Sequence, residues 1–511
     1  MSYLSPNYLI TKLKEYKIEN ILFYSLIIYS VALIWKYDFY LTTDGPAHVY
    51  NSKLLNLLNT SDFINQYFEK NSLVLPNYTD HIILQYLLKF FSTLTAHKIF
   101  LSMLVIFLPL TFRYSIKCIS NKAGNFSIII FPLLFNSLLH FGFYNFNLAF
   151  IFLNLQVAFT VLILNNAKRN YLFLVLFVIN SVVLFYTHGF VFLITLVIVF
   201  LLVLIKEQLN FKALLAKGFL LLGLLLPSLI LFFLFNGRFN VPDYDYDLSN
   251  TEKFQNIVSF SPAIVFTPMG ESIYSSLIAI ASIILITYIL IKKSEAFKLE
   301  LSDIFFLLSC ITLPILVYTK NGMLSGMLSI RLIHIFYYFL FFWIASKAIH
   351  NSFIKIITVF MILFSFINLS EIRNAMLSIS ANDVNSVIKS ADHIKDKSVV
   401  YTVNLIEYHD TYLHFSNCLA FNKEIIVSEN YEAELGWFPV KWKKNMKPIS
   451  CELHNKDIQV PDYVFICGEY RLINNAAHSI VKMFIDSACT NTYNSPNGLI
   501  KIFTVNKIKA Q

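Results

Sequence analysis

The sequence predicts a polytopic α-helical membrane protein that carries a small soluble α/β domain at its C-terminal end. Three observations predict it. Of the 511 residues, 57% are hydrophobic and only 14% charged, with a mean hydropathy of +0.61, whereas soluble domains carry about 25% charge. Apolar runs of roughly 17 or more residues recur along the chain, as membrane helices require and as the short alternating segments of a β-barrel do not. After residue 371, Lys and Glu return and β-rich stretches alternate with helical ones. The net charge of +9 needs no nucleic-acid partner, because the Lys and Arg sit mostly between apolar runs.

About eleven spans are expected in a core of residues 1–371: 20–35, 99–116, 124–142, 146–164, 171–187, 189–205, 216–235, 274–291, 303–319, 331–348 and 354–371. The first follows Lys12, Lys14 and Lys17 and lacks a small-residue cleavage site, so it reads as a signal-anchor. Alternate connections each hold at least two positive residues, for example Arg113 with Lys117 and Lys122, Lys168 with Arg169, and Lys292 with Lys293. The remaining connections are longer and sparser in charge. The positive-inside rule then puts the N-terminus in the cytoplasm and everything after residue 371 outside, which in a bacterial inner membrane is the periplasm.

The first external loop, 36–98, is long and not structureless. Residues 49–58 read as a helix, and 82–94 as another with apolar positions at helical spacing. The latter is too short to span, so it is placed along the membrane–water interface. External loop 236–273 carries Asp243, Asp245 and Asp247 among tyrosines; such a run is a carbohydrate or cation surface, or simply a solvated loop. In the tail, 372–511, strands are expected at 398–404, 424–427, 463–467 and 499–505, and helices at 383–395 and 476–488. That makes a small α/β domain with a core of its own. Segment 430–439, aromatic and acidic around Glu432 and Glu434, either lines a polar ligand or docks the tail. Cys418, Cys451, Cys467 and Cys489 are enough for two disulfides in an oxidising compartment, and equally can be free buried thiols.

The candidate chemistry starts at Asp44-Gly45-Pro46-Ala47-His48, just beyond the first span. Gly and Pro force a turn that opens a helix, and a carboxylate at a helix start stays ionised cheaply. His48 follows one turn later on the same face. Taken alone, this is an N-cap Asp and a solvated His. The surroundings add Asp80-His81 at the start of the second loop helix, His188 at the end of a span, and Arg331 at the start of another, with His334 one turn below. All are expected at the outer face, where ionisable groups line a cavity or pathway. For Arg331 the plainer role is an interfacial anchor, and for His334 a packed intramembrane side chain.

In this layout the chain resembles the GT-C superfamily of integral-membrane glycosyltransferases, on the bacterial side of its protein O-mannosyltransferase and aminoarabinose transferase branch. The resemblance covers the whole chain in architecture. In sequence it is local: Asp44-Gly-Pro-Ala-His48, Pro76-Asn77-Tyr-Thr-Asp80-His81 and Ser329-Ile-Arg331. It implies a sugar donor linked to polyprenyl phosphate, with Asp44 as the catalytic acidic residue of the first external loop. The chain departs from the pattern where several members have Asp-Glu and it has Asp44-Gly45; Asp80, or one of Asp243, Asp245 and Asp247, would replace the second acid.

Physical chemistry reaches a similar expectation. The donor phosphate needs a cation at headgroup depth, for which the Arg331 guanidinium is suited. The acceptor hydroxyl needs a base, assigned to Asp44. His48, Asp80, His81 and His188 are candidates for substrate binding. The expected reaction is a single inverting displacement onto an extracytoplasmic glycan, lipid or protein, with membrane lipid as surroundings. No cofactor is implied by a motif; a divalent metal on Asp44, His48, Asp80 and His81 is left open. The competing readings are a lipid-linked oligosaccharide flippase, disfavoured by the lack of inverted repeats and of paired Gly/Pro-broken helices, and a non-catalytic membrane subunit.

Overall fold

The computed structural model describes residues 6–71, 74–120, 126–165, 171–208, 210–235, 248–266, 268–293, 300–319, 327–347, 352–406 and 410–507. Among them, eight helices are long and apolar enough to cross a membrane: Ile18–Trp35, Thr93–Ile119, Tyr144–Asn165, Gly189–Lys206, Phe211–Phe235, Gly270–Lys292, Leu328–Ser346 and Phe353–His393. Tyr171–Thr187 and Asp303–Tyr318 are shorter apolar helices. The chain is thus a polytopic helical membrane protein. It divides into two compact units, one of Met1–Ile34, Leu101–Leu139 and Tyr144–Asn374, the other of Trp35–Phe100, His140–Phe143 and Ala375–Gln511.

The first unit holds most of the apolar helices. Helix Phe211–Phe235 buries little beyond Leu221, Leu225 and Ser228 and leaves Phe219 and Phe233 exposed, the pattern of a helix that faces lipid. Helix Tyr144–Asn165 is buried nearly all round, Asn147, Asn154 and Gln156 included. Lipid supplies no hydrophobic drive between helices, so polar side chains join them. The Tyr338 hydroxyl donates to Asn154 Oδ1 at 2.7 Å, Asn180 Nδ2 to Gln156 Oε1 at 2.6 Å, and Asn136 Nδ2 to Asn147 Oδ1 at 2.8 Å.

The span expected at 124–142 is corrected. Its described part is a 3₁₀ helix, Ser127–Leu133, followed by a single turn, Ser137–His140. Pro132 lacks an N–H and its ring crowds the preceding turn, which weakens an α-helix there without forbidding one. Asn136 then holds the break, donating to the Leu133 carbonyl at 2.8 Å and accepting from Leu139 N–H at 2.9 Å.

In the second unit the tail does not stand alone; it packs with the loop after the first span. Its strands are β1 (Phe68–Lys70), β2 (Ser398–Asn404), β3 (Ile425–Val427), β4 (Val440–Trp442), β5 (Tyr463–Cys467), β6 (Cys489–Asn494) and β7 (Ile500–Val505). Five form one sheet in the order β3-β2-β5-β7-β6, parallel through β3-β2-β5 and antiparallel from β5 onward. Val403, Val464, Ile466 and Phe503 of the sheet pack with Val481, Phe484, Ile485 and Ala488 of helix Ser479–Ala488. Those four recur at helical spacing, which is why this segment folds as an amphipathic helix.

β1 and β4 pair antiparallel, with Phe68 opposite Trp442, and so join loop to tail. Helix Gly45–Leu57 strengthens the join. Asn51 and Asn430 exchange amide hydrogen bonds of 2.9 and 3.0 Å. Lys53 Nζ donates to the carbonyls of Ala420, Phe421 and Lys423. The helix expected at 82–94 is shorter, Thr79–Leu87, because Ser92 starts the next one by accepting from Thr95 N–H in the manner of an N-cap. None of the six cysteines is disulfide-bonded.

Candidate functional site

Gly45 and Pro46 open helix Gly45–Leu57, and Asp44 is its N-cap with φ −89° and ψ −10°. Pro suits this first turn because its missing N–H would have no helical partner there. The Asp44 side chain makes no capping hydrogen bond. It takes one from the Tyr431 hydroxyl instead, and its Oδ1 lies 3.5 Å from His414 Nε2. The opposite nitrogen of His414, Nδ1, bonds Glu429 Oε1, whose other oxygen accepts from Ser416 and Asn417. The His414 ring stacks on Tyr431 at 4.0 Å.

A turn fixes the Asp44 backbone from the other side. Thr43 N–H donates to the His140 carbonyl at 2.8 Å and Asp44 N–H to the Phe141 carbonyl at 3.1 Å. Gly142 follows at φ +86°, and a Cβ there would stand 2.7 Å from Asp44 Cβ. This position accepts only glycine.

The helix start does not keep Asp44 cheaply ionised, contrary to expectation. Burial raises its pKa above the usual carboxylate range; the charges of His414 and His48 offset this only in part, and Glu432 adds to it. Even so, 14% of its side-chain surface remains exposed, which suits a group that meets a substrate.

Beneath the first turn lies a fully enclosed cluster. His48, solvated only in the plainer of its two readings, is 4% exposed, and Asp80, His81 and Glu432 are 0% exposed. His48 Nδ1 is 2.8 Å from Asp80 Oδ2 and 3.1 Å from Glu432 Oε1. His81 Nδ1 bonds Asp80 Oδ1 at 2.7 Å, and His81 Nε2 bonds Glu432 Oε2 at 2.8 Å. Asp80 Oδ1 also accepts the His81 backbone N–H at 2.7 Å. Burial opposes a charge on His81, but the carboxylates of Asp80 and Glu432 outweigh it and lift its pKa to about 10. The same balance lifts His48 and, through the two imidazoles, holds Asp80 below its usual range. Two imidazoles and a carboxylate converging at these distances can also hold a metal ion.

The structure therefore gathers four of the six residues singled out in the sequence, Asp44, His48, Asp80 and His81, in one unit. His188 and Arg331 belong to the other unit. There the Arg331 guanidinium lies over the Phe146 ring at 5.7 Å, and His188 meets the same ring edge-on at 5.3 Å. His334 packs between Phe146 and Phe150, the packed role weighed for it. Asp243, Asp245 and Asp247 lie outside the described residues.

Five contributors were not assigned to the site from the sequence: His414, Glu429, Tyr431, Glu432 and Gly142. Glu432 stands in a segment singled out for its acids and aromatics, which was the available signal. Spacing gave none, since Glu432 lies 351 residues from its partner His81. No protein-family model matches the chain, and no curated protein matches it.

Proposed function

We propose that the chain is a membrane glycosyltransferase that moves a sugar from a polyprenyl-phosphate donor to a hydroxyl of an extracytoplasmic acceptor. The observation that carries this reading is the Asp44 carboxylate: partly exposed in an otherwise buried site, held rigidly by the turn at Phe141–Gly142, and backed by His414 and Glu429. A base needs this kind of fixed, desolvated position with a pKa drawn toward the working pH. In the reaction, the acceptor oxygen attacks the sugar's anomeric carbon and inverts it. The bond from that carbon to the phosphate oxygen breaks, polyprenyl phosphate leaves with the electron pair, and Asp44 takes the hydroxyl proton. A guanidinium such as that of Arg331 matches phosphate oxygens in a bidentate way, which is the chemistry that a donor phosphate asks for. The outward orientation of the loop and tail belongs to the same proposal, as does a bacterial inner membrane.

The test is incubation of the purified chain with several lipid-linked sugars, reading both transfer and release of polyprenyl phosphate. Asp44→Asn is expected to slow release by about 10²- to 10⁴-fold without loss of expression. Unchanged release would remove Asp44 as base, and movement of the intact lipid-linked sugar without release would make the chain a carrier.

A second expectation follows from the charges around Asp44. His414 and His48 both lower its pKa against the effect of burial. His414→Gln removes one of these charges, so Asp44 protonates more readily and the acid limb of the rate–pH profile moves to higher pH. An unmoved limb would mean that His414 does not act through Asp44.

A further inference from the structure

The enclosed cluster has a property that the base chemistry of Asp44 does not use. Asp80 and Glu432 bring two negative charges to a place without solvent. Two protons on His48 and His81 can balance them, and so can one divalent cation. We propose that His48 Nδ1, His81 Nε2 and the Glu432 carboxylate hold one transition-metal ion of the zinc class, with Asp80 orienting the His81 ring.

The donor atoms lie within 4.8 Å of one another and all are buried. Ligands bonded to Zn²⁺ at about 2.0–2.1 Å stand roughly 3.3 Å apart at tetrahedral corners. Here Glu432 Oε1 is 3.1 Å from His48 Nδ1 and Oε2 is 2.8 Å from His81 Nε2, so a few tenths of an ångström of opening seats the ion. Glu432 Oε1 is buried and faces His48 Nδ1 at 3.1 Å.

The surroundings of His81 are those of a metal ligand. Asp80 Oδ1 receives its Nδ1–H at 2.7 Å and is itself fixed by the His81 backbone N–H. With an ion in place of the Nε2 proton, the same hydrogen bond would hold the remaining proton on Nδ1 and leave the Nε2 lone pair for the metal beside Glu432, the carboxylate–histidine arrangement that supports metal ligands elsewhere. Two imidazoles with carboxylate oxygens suit zinc, cobalt or iron better than magnesium or calcium. The loop contributes His48, Asp80 and His81, and the tail contributes Glu432, so the ion cross-links parts of the chain far apart in sequence and stabilises the folded unit by binding it alone.

This proposal does not depend on glycosyl transfer, and its test needs no sugar. The full chain, purified in detergent, is loaded with Zn²⁺ or Co²⁺, dialysed against metal-free buffer, and assayed by elemental analysis and by cobalt absorption. One ion per chain and ligand-field bands of a four- or five-coordinate nitrogen–oxygen site are expected. Glu432→Gln and, separately, Asp80→Asn are each expected to weaken binding on the order of tenfold or more. A chelator should lower the thermal midpoint of the wild type and leave Glu432→Gln unmoved. A folded wild type that retains no ion and shows no cobalt bands overturns the proposal and leaves an imidazolium–carboxylate network. Variants that load as fully as the wild type overturn it too.

Discussion

If the chain is the proposed glycosyltransferase, Gly142→Ala is expected to cut sugar transfer on the order of 100-fold, the scale of a catalytic group displaced by about 1 Å, while the membrane helices remain folded. Two effects act together. At φ +86° an alanine sits in left-handed backbone space, at a cost of roughly 1–2 kcal/mol. Its Cβ also falls 2.7 Å from Asp44 Cβ and 2.8 Å from Asp44 N. The second atom is backbone, so no side-chain rotation relieves the clash. Asp44 must move, and the hydrogen bonds from Thr43 and Asp44 to His140 and Phe141 are strained as it does. Gly218→Ala and Gly223→Ala supply the control, because nothing lies within 4 Å of a Cβ at either position. Turnover and thermal midpoint measured on all three variants separate the effects. Full turnover in Gly142→Ala would show that the chemistry does not depend on where this turn holds Asp44.

The parts of this molecule that a bilayer or a short-range rule dictates were legible in its sequence. A membrane helix must satisfy its backbone within itself and stay apolar over its length, so Tyr144–Asn165, Phe211–Phe235 and Leu328–Ser346 announce themselves. Strand β2 does so through its run Val-Val-Tyr-Thr-Val, and helix Gly45–Leu57 through Asp-Gly-Pro. The 3₁₀ segment Ser127–Leu133 was hidden because its composition is as apolar as a span; only Pro132 and Asn136 mark the break, and spans elsewhere in the chain tolerate proline, as Pro109 and Pro227 show. The site divides the same way. Asp80 and His81 are neighbours and stood out together. His414, Glu429 and Glu432 reach it by tertiary folding of the tail onto the loop, and local spacing contains no trace of that. The environment was the hardest to foresee: a helix N-terminus favours a carboxylate's charge by about 0.3–1 kcal/mol when exposed, and at Asp44 desolvation outweighs it.

The largest loss of stability is expected from Arg373→Met, in the unit that holds most of the spans. Arg373 is 2% exposed and sits one residue after the π turn Asn368–Ile372. Its guanidinium joins three segments: Nε pairs with Glu271 Oε1, Nη1 donates to the Phe135 carbonyl at 2.6 Å, and Nη2 donates to the Ala263 carbonyl. Glu271 in turn receives the backbone N–H groups of Val265 and Phe266 on Oε2. Methionine fills much of the same volume but supplies no donor, so a buried carboxylate loses its countercharge. Breaking such a pair from one side costs about 3–5 kcal/mol. Glu271→Gln should cost less, because the amide oxygen still accepts from the two backbone groups and Arg373 keeps its two carbonyls. The double variant decides the cause. If an uncompensated charge is what destabilises Arg373→Met, adding Glu271→Gln should recover a large part of the lost thermal midpoint in detergent, and the two changes will be far from additive. Strict additivity would instead assign the loss to the carbonyls of Phe135 and Ala263, and would make Arg373 a staple of the backbone and not the partner of an acid.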